Sequence, residues 1–162
     1  MTVPHSIFVH LLQRSTYYKM SNLDNARLFF PLCENGKGWE ACKQYCHPEA
    51  TFQSQASIDF GGSLKNYIEW VKMTATQVMP GTYYSDLVSA YDEDANTAIF
   101  AAVIHGKHTN TPEGAPLPPP TQKSFSLDYC YRIHFNDEGK IDNMIKIWNF
   151  EHAKKDLGWI DG

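Results

Sequence analysis

The chain has 162 residues, of which 14 are Lys or Arg and 18 are Asp or Glu, for a formal charge of −4. That balance leaves no basic footprint for nucleic acid or an anionic membrane surface, and no run approaches the roughly 18–20 apolar residues of a membrane span. With 43% hydrophobic and 14% aromatic residues, the composition excludes a disordered chain and suggests aromatic walls around a cavity.

Residues 1–20 read as an N-terminal extension, with one domain over 21–162. The apolar stretch 7–12 is interrupted by His10 and is too short for a secretory signal, and Met20-Ser21 would make a natural alternative start. Asn22 or Asp24 is expected to cap a first helix carrying Ala26, Leu28, Phe29 and Leu32. Gly36-Lys37-Gly38 breaks it, and a short second helix spans 39–45. Residues 51–54, β-branched and aromatic, predict a strand. Ser63 caps the clearest helix, 63–79, whose apolar positions Leu64, Tyr67, Ile68, Val71 and Ala75 recur at spacings of three and four. Pro80-Gly81 ends it.

Strands follow over 83–91 and 97–109. Five prolines make 110–122 a loop. The strand 125–135 alternates cleanly, with Phe125, Leu127, Tyr129, Tyr131, Ile133 and Phe135 on one face. A hairpin turn at 136–139 leads to a partner strand over 140–149, and a short helix over 151–157 closes the chain. Helices first and an antiparallel meander afterwards predict an α+β fold with helices on one face of a curled sheet.

Common catalytic motifs are absent: there is no phosphate-binding Gly loop, nucleophile elbow, Cys-x-x-Cys or His-Glu-x-x-His. Four irregularly spaced cysteines, Cys33, Cys42, Cys46 and Cys130, predict free buried thiols in a reducing, cytoplasmic setting. Cys42, Cys46 and His47 lie close in sequence but lack a fourth ligand, so no metal is expected. His105 and His108, three apart on a strand, would face opposite sides.

Several segments together resemble a known family. These are His105-Gly106-Lys107-His108-Thr109, the Pro-rich loop, Pro119-Pro120-Thr121-Gln122-Lys123, the strand ending Tyr131-Arg132-Ile133, then Glu138-Gly139-Lys140-Ile141 and Trp148. The opening helices and His47-Pro48-Glu49-Ala50-Thr51-Phe52 fit the same pattern. The chain resembles the SnoaL-like polyketide cyclases of the nuclear-transport-factor-2-like superfamily over roughly residues 23–158. The resemblance implies a cone-shaped α+β domain with a curled, mostly antiparallel sheet whose concave face is covered by the N-terminal helices. It also implies a homodimer formed through the outer sheet face, where Ile145 and Ile147 would supply an apolar patch, and no cofactor.

The family's catalytic positions differ in this sequence. Where the cyclases carry an Asp base on the last strand, this chain has Lys146. A His two residues earlier is Met144, and another on the preceding strand is Tyr129. A lysine in a dry aromatic pocket must pair with an acid, reach water or lose its proton. It can therefore be a base, a Schiff-base nucleophile or a cation that holds an enolate. Asp59, Asp86 and Asp142 are the acids considered as its ion-pair partners.

The candidate catalytic set is Lys146, His108 and Tyr129. The candidate ligand-binding set is Trp70, Tyr67, Phe52, Phe60, Met144 and Trp148. The expected ligand is a small hydrophobic carbonyl compound handled by a cyclase-, isomerase- or dehydratase-like enzyme. The alternatives are a binding module that keeps the pocket without the chemistry, and a dimerisation domain with a filled cone.

Overall fold

The computed structural model describes residues 20–55 and 60–161, so the expected extension up to residue 19, and Asp59, lie outside the described residues. The elements in order are α1 (Asn22–Glu34), α2 (Trp39–Cys42) with a 3-10 turn (Lys43–Tyr45), β1 (Cys46–Ser54), α3 (Leu64–Met73), β2 (Tyr83–Asp92), β3 (Thr97–Lys107), β4 (Ser124–Phe135), β5 (Ile141–Trp148) and α4 (Phe150–Asp156). The strands form one open sheet in the order β1-β5-β4-β3-β2. β1 runs parallel to β5 and the other neighbours are antiparallel.

The caps explain where the helices begin. Ser21, rather than Asn22 or Asp24, is the N-cap of α1: its hydroxyl accepts from the Asp24 backbone N–H, and the Asp24 carboxylate accepts from Ser21 in return. Ser63 caps α3 through the Asn66 backbone N–H. α3 buries Leu64, Tyr67, Ile68 and Val71, whereas Ala75, the last position of the predicted stripe, lies beyond the helix and is half-buried. Beyond Met73 the backbone widens into a π turn over Thr74–Val78, closed by the Met79 N–H on the Thr74 carbonyl at 2.8 Å. Such bulges gather at functional sites, and this one lines the cavities described below.

β1 starts earlier than expected, at Cys46, and so takes in Pro48. It is an edge strand and its register shifts between Cys46 and Thr51, which is where a strand tolerates a residue with no N–H. β3 ends at Lys107, short of residue 109. The His108 N–H turns to the Lys123 carbonyl and the Thr109 N–H to the Val78 carbonyl.

The buried face of α1 comprises Ala26, Phe29, Phe30, Cys33 and Glu34, while Leu28 is exposed. That face and α3 pack on Phe100, Tyr129, Tyr131, Ile133 and Met144 across the concave side of the sheet. A second cluster joins Val78, Met79, Phe125, Leu127, Ala153 and Leu157 at the opposite end, where α4 docks. Phe125 presses on Gly106 of β3, whose missing side chain makes the approach possible: a Cβ there would stand 2.6 Å from the ring. No described helix is long and apolar enough to cross a membrane.

Candidate active site

The site is built by four elements that meet between helices and sheet. Alternation along β5 turns Met144 and Lys146 inward, and Lys146 pairs in register with Tyr131 of β4 and Ser54 of β1. Lys146 is 2% exposed. Its Nζ donates to the Tyr67 hydroxyl of α3 at 3.1 Å. The Tyr67 hydroxyl is hydrogen-bonded to that of Tyr131, and Tyr131 donates to Oε1 of Glu34, the last residue of α1. Tyr129 donates to the other oxygen, Oε2, at 2.7 Å. Since Tyr131 spends its proton on Glu34, its oxygen accepts from Tyr67, and Tyr67 in turn accepts from Lys146. The donors all point one way, from amine to carboxylate, and no polar side-chain atom of the series lacks a partner.

Aromatic rings enclose the ammonium. Nζ stands 4.1 Å from the ring centre of Trp148 and 4.6 Å from that of Tyr129, distances at which the π faces attract a cation. Burial depresses the proton affinity of Lys146, and the Glu34 charge pulls it back up. Burial, reinforced by Glu34, pushes the Tyr67, Tyr131 and Tyr129 phenols above their ordinary range, so the relay keeps its phenols protonated.

Glu34 is the residue that the sequence reasoning missed. None of the acids considered fills its place: Asp142 bonds the His134 ring at 2.6 Å, Asp86 accepts from Ser85 at 2.8 Å, and Asp59 is outside the described residues. The signal was present in helical spacing, because Ala26, Phe29, Phe30 and Cys33 continue to residue 34.

Glu34 and Lys146 line an inner cavity of about 40 Å³ with Trp70, Trp148, Phe150 and Trp159. At roughly 10–15 Å³ per water it holds about three or four. Trp70, Phe150 and Trp159 also wall a larger outer chamber of about 490 Å³. Trp70 thus lines both cavities and Trp148 the inner one. Tyr67 and Tyr129 reach Lys146 and Glu34 through their hydroxyls. Met144 is fully buried in the core. Phe52 stacks on Tyr67 with ring centres 3.8 Å apart, and Phe60 meets both edge-on. Those two phenylalanines support the back of Tyr67 and face a separate cleft.

His108 lies apart from Lys146. Its Nδ1 accepts from the Trp159 indole at 2.9 Å and faces the Thr121 backbone N–H at 3.3 Å, while Nε2 meets the Thr111 hydroxyl at 3.0 Å. Thr111 donates its own proton to the Pro118 carbonyl, so Nε2 carries the hydrogen and Nδ1 is the acceptor. Burial lowers the affinity of His108 for a second proton. The ring fastens the Pro-rich loop to the C-terminal segment.

Cys42 and Cys46 are free thiols, and burial pushes Cys42 up to about 12. No group of three metal-ligating side chains occurs among the described residues.

No family model matches the sequence, and no curated protein matches it either. Solved structures do match the fold. A candidate polyketide cyclase from Xanthomonas campestris pv. campestris superposes with a TM-score of 0.66 at 14% identity, covering 84% of this chain and 96% of that one. A candidate SnoaL-like polyketide cyclase from Jannaschia sp. CCS1 gives 0.59 at 11%, covering 82% and 90%. The BvnE pinacolase from Penicillium brevicompactum gives 0.59 at 14%, covering 83% and 89%. Taken with the strand order and the helices packed on one face of the sheet, these likenesses show that the chain has the α+β fold of those cyclase structures.

Proposed function

We propose that the protein is a proton-transfer enzyme of the SnoaL-like kind, an isomerase, dehydratase or cyclase that acts on a small hydrophobic carbonyl compound. The carrying observation is the relay: a buried amine and a buried carboxylate open on one cavity and are joined by two phenols. In this reading the substrate carbonyl oxygen sits against the Lys146 ammonium. The Glu34 carboxylate takes the proton from the α carbon, the C–H electrons move into the enolate, and the ammonium holds the new negative oxygen. Return of that proton to another carbon gives isomerisation. Departure of a β-hydroxyl as water, with the proton that Glu34 has taken, gives dehydration, and attack of the enolate on a second carbonyl, whose new alkoxide takes that same proton, gives ring closure. Tyr67 and Tyr131 let the proton be exchanged between carboxylate and amine without water.

The test is deuterium exchange. With a panel of small apolar ketones in D2O, 2-tetralone and cyclohex-3-enone among them, NMR should show α-deuteration faster than the buffer blank, lost in Glu34→Gln and in Lys146→Met. A second reading, a binding module without chemistry, is favoured by the outer chamber, whose 490 Å³ has room for a ligand, while the inner cavity's 40 Å³ admits none until the Trp70, Phe150 and Trp159 wall moves. Ketones that bind without exchange anywhere in the panel would establish that reading instead.

As for assembly, the exposed Val88 and Ile147 share a shallow cleft on the outer sheet face and are the residues through which a second copy would dock. Sedimentation of Ile147→Lys as a monomer, against a wild-type dimer, is the expected result.

A further inference from the structure

The outer chamber differs from the inner cavity in what it offers a ligand. At about 490 Å³ it falls within the roughly 300–1,000 Å³ of ordinary small-molecule sites. Its wall comes from the π turn (Thr74, Val78), the Pro-rich loop (Pro116, Leu117, Pro118), α4 and the segment after it. The loop is held in shape before any ligand arrives: Thr111 bonds the Pro118 carbonyl at 2.7 Å, His108 bonds Thr111, and the Ala115 N–H bonds the Pro112 carbonyl at 3.1 Å. A preformed wall of this kind lowers the ordering cost of binding.

One charge stands in that wall, Lys154 of α4, and no carboxylate lines it among the described residues. The Lys154 side chain is 21% exposed, with its ammonium 5.5 Å above the centre of the Phe150 ring. Its ion-pair partner Glu151 lies one turn away on the solvent side and is 55% exposed. A surface pair of that kind is weak and exchangeable. An incoming anion can take the place of Glu151 while the apolar body of the ligand covers Phe150, Trp70 and Trp159.

We propose that the outer chamber holds the tail of the substrate, and that the substrate is an apolar ring compound bearing a carboxylate at the end away from its reacting carbonyl. The carbonyl end belongs to Lys146 and Glu34, so the inference rests on the function proposed above. The ring belongs to the shared aromatic wall and the carboxylate to Lys154.

The test reads binding and needs no turnover, which keeps its failure separate from that of the proton-transfer reading. 2-Naphthoate and its neutral counterpart 2-naphthamide are titrated calorimetrically into the full chain. Wild-type protein should prefer the acid by about fivefold, the upper range for a partly exposed ion pair. Lys154→Met should erase the preference with amide binding unchanged, and Lys154→Arg should keep it. Equal affinity for acid and amide in the wild type would overturn the proposal. So would a preference that survives Lys154→Met, or one that vanishes in Lys146→Met but not in Lys154→Met, because the acid would then sit in the inner cavity.

Discussion

Replacing Glu34 by Gln tests the relay through stability alone. The change keeps the shape of the side chain and removes its charge. It also puts an amide that can donate where two phenols already donate. Lys146 then has no buried anion to offset its desolvation. Removing one partner of a buried charge pair typically costs about 3–5 kcal/mol.

Here an upper limit follows from proton linkage, because the lysine can escape by losing its proton. Starting from the ordinary value of 10.5, holding it neutral at pH 7 costs at most about 5 kcal/mol, and at pH 9 about 2 kcal/mol, at 1.36 kcal/mol per unit. The sign is fixed as well. The folded affinity of Lys146 for its proton is depressed, so the unfolded chain binds more protons and stability rises with pH. Urea unfolding at pH 7 and pH 9 should therefore show Glu34→Gln losing about 3–4 kcal/mol at the lower pH and no more than about 2 kcal/mol at the higher. Equal losses at the two pH values would refute the electrostatic link between Glu34 and Lys146.

Four further outcomes follow. Lys146→Met, which fills the same space without charge, should abolish ketone α-exchange while the protein still binds naphthalene derivatives by calorimetry. Borohydride treatment with a panel of aldehydes and ketones should leave Lys146 unmodified by mass spectrometry, since its assigned role is that of an ammonium; an adduct would replace that role with imine chemistry. Gly106→Ala drives a methyl group into the Phe125 ring beside the inner cavity and should cost about 1–3 kcal/mol as overpacking, read as a lower thermal midpoint. Burial depresses His108, so the folded state binds its proton less readily than the unfolded chain does. Stability should fall as pH drops below about 6.5, down to the lowered folded value. His108→Gln should flatten that slope, which pH-dependent urea titrations would reveal.

Much of the frame was legible because it is written in local periodicity. The alternation of Phe125, Leu127, Tyr129, Tyr131, Ile133 and Phe135 is that of a strand with one face in the core, and all six are buried. The stripe of Leu64, Tyr67, Ile68 and Val71 specified α3 in the same way. Lys146 stood out because its strand position points inward. Glu34 did not, because its role depends on partners 95 and 97 residues away. Within α1 itself, Leu28 and Leu32 offered a competing apolar stripe, and only packing against the sheet decides which side of the helix is inside. His108 looked like an acid–base residue from its type and segment. Its hydrogen-bond partners Trp159 and Thr111 could not be read from the sequence, because no spacing rule brings them together.

The pairing of β1 with β5 has a consequence for how the protein comes to be made. The first strand can gain its neighbour only when the last one exists, and the two charges of the relay are carried by the first helix and that same last strand. During synthesis the hairpins of β2, β3 and β4 can close as they emerge, whereas Glu34 waits through more than a hundred residues for its cation. Contacts so distant in sequence form late and slowly. Until then the carboxylate keeps the end of α1 hydrated, since an unmatched charge resists burial. Completion of the sheet and neutralisation of Glu34 therefore both wait on β5.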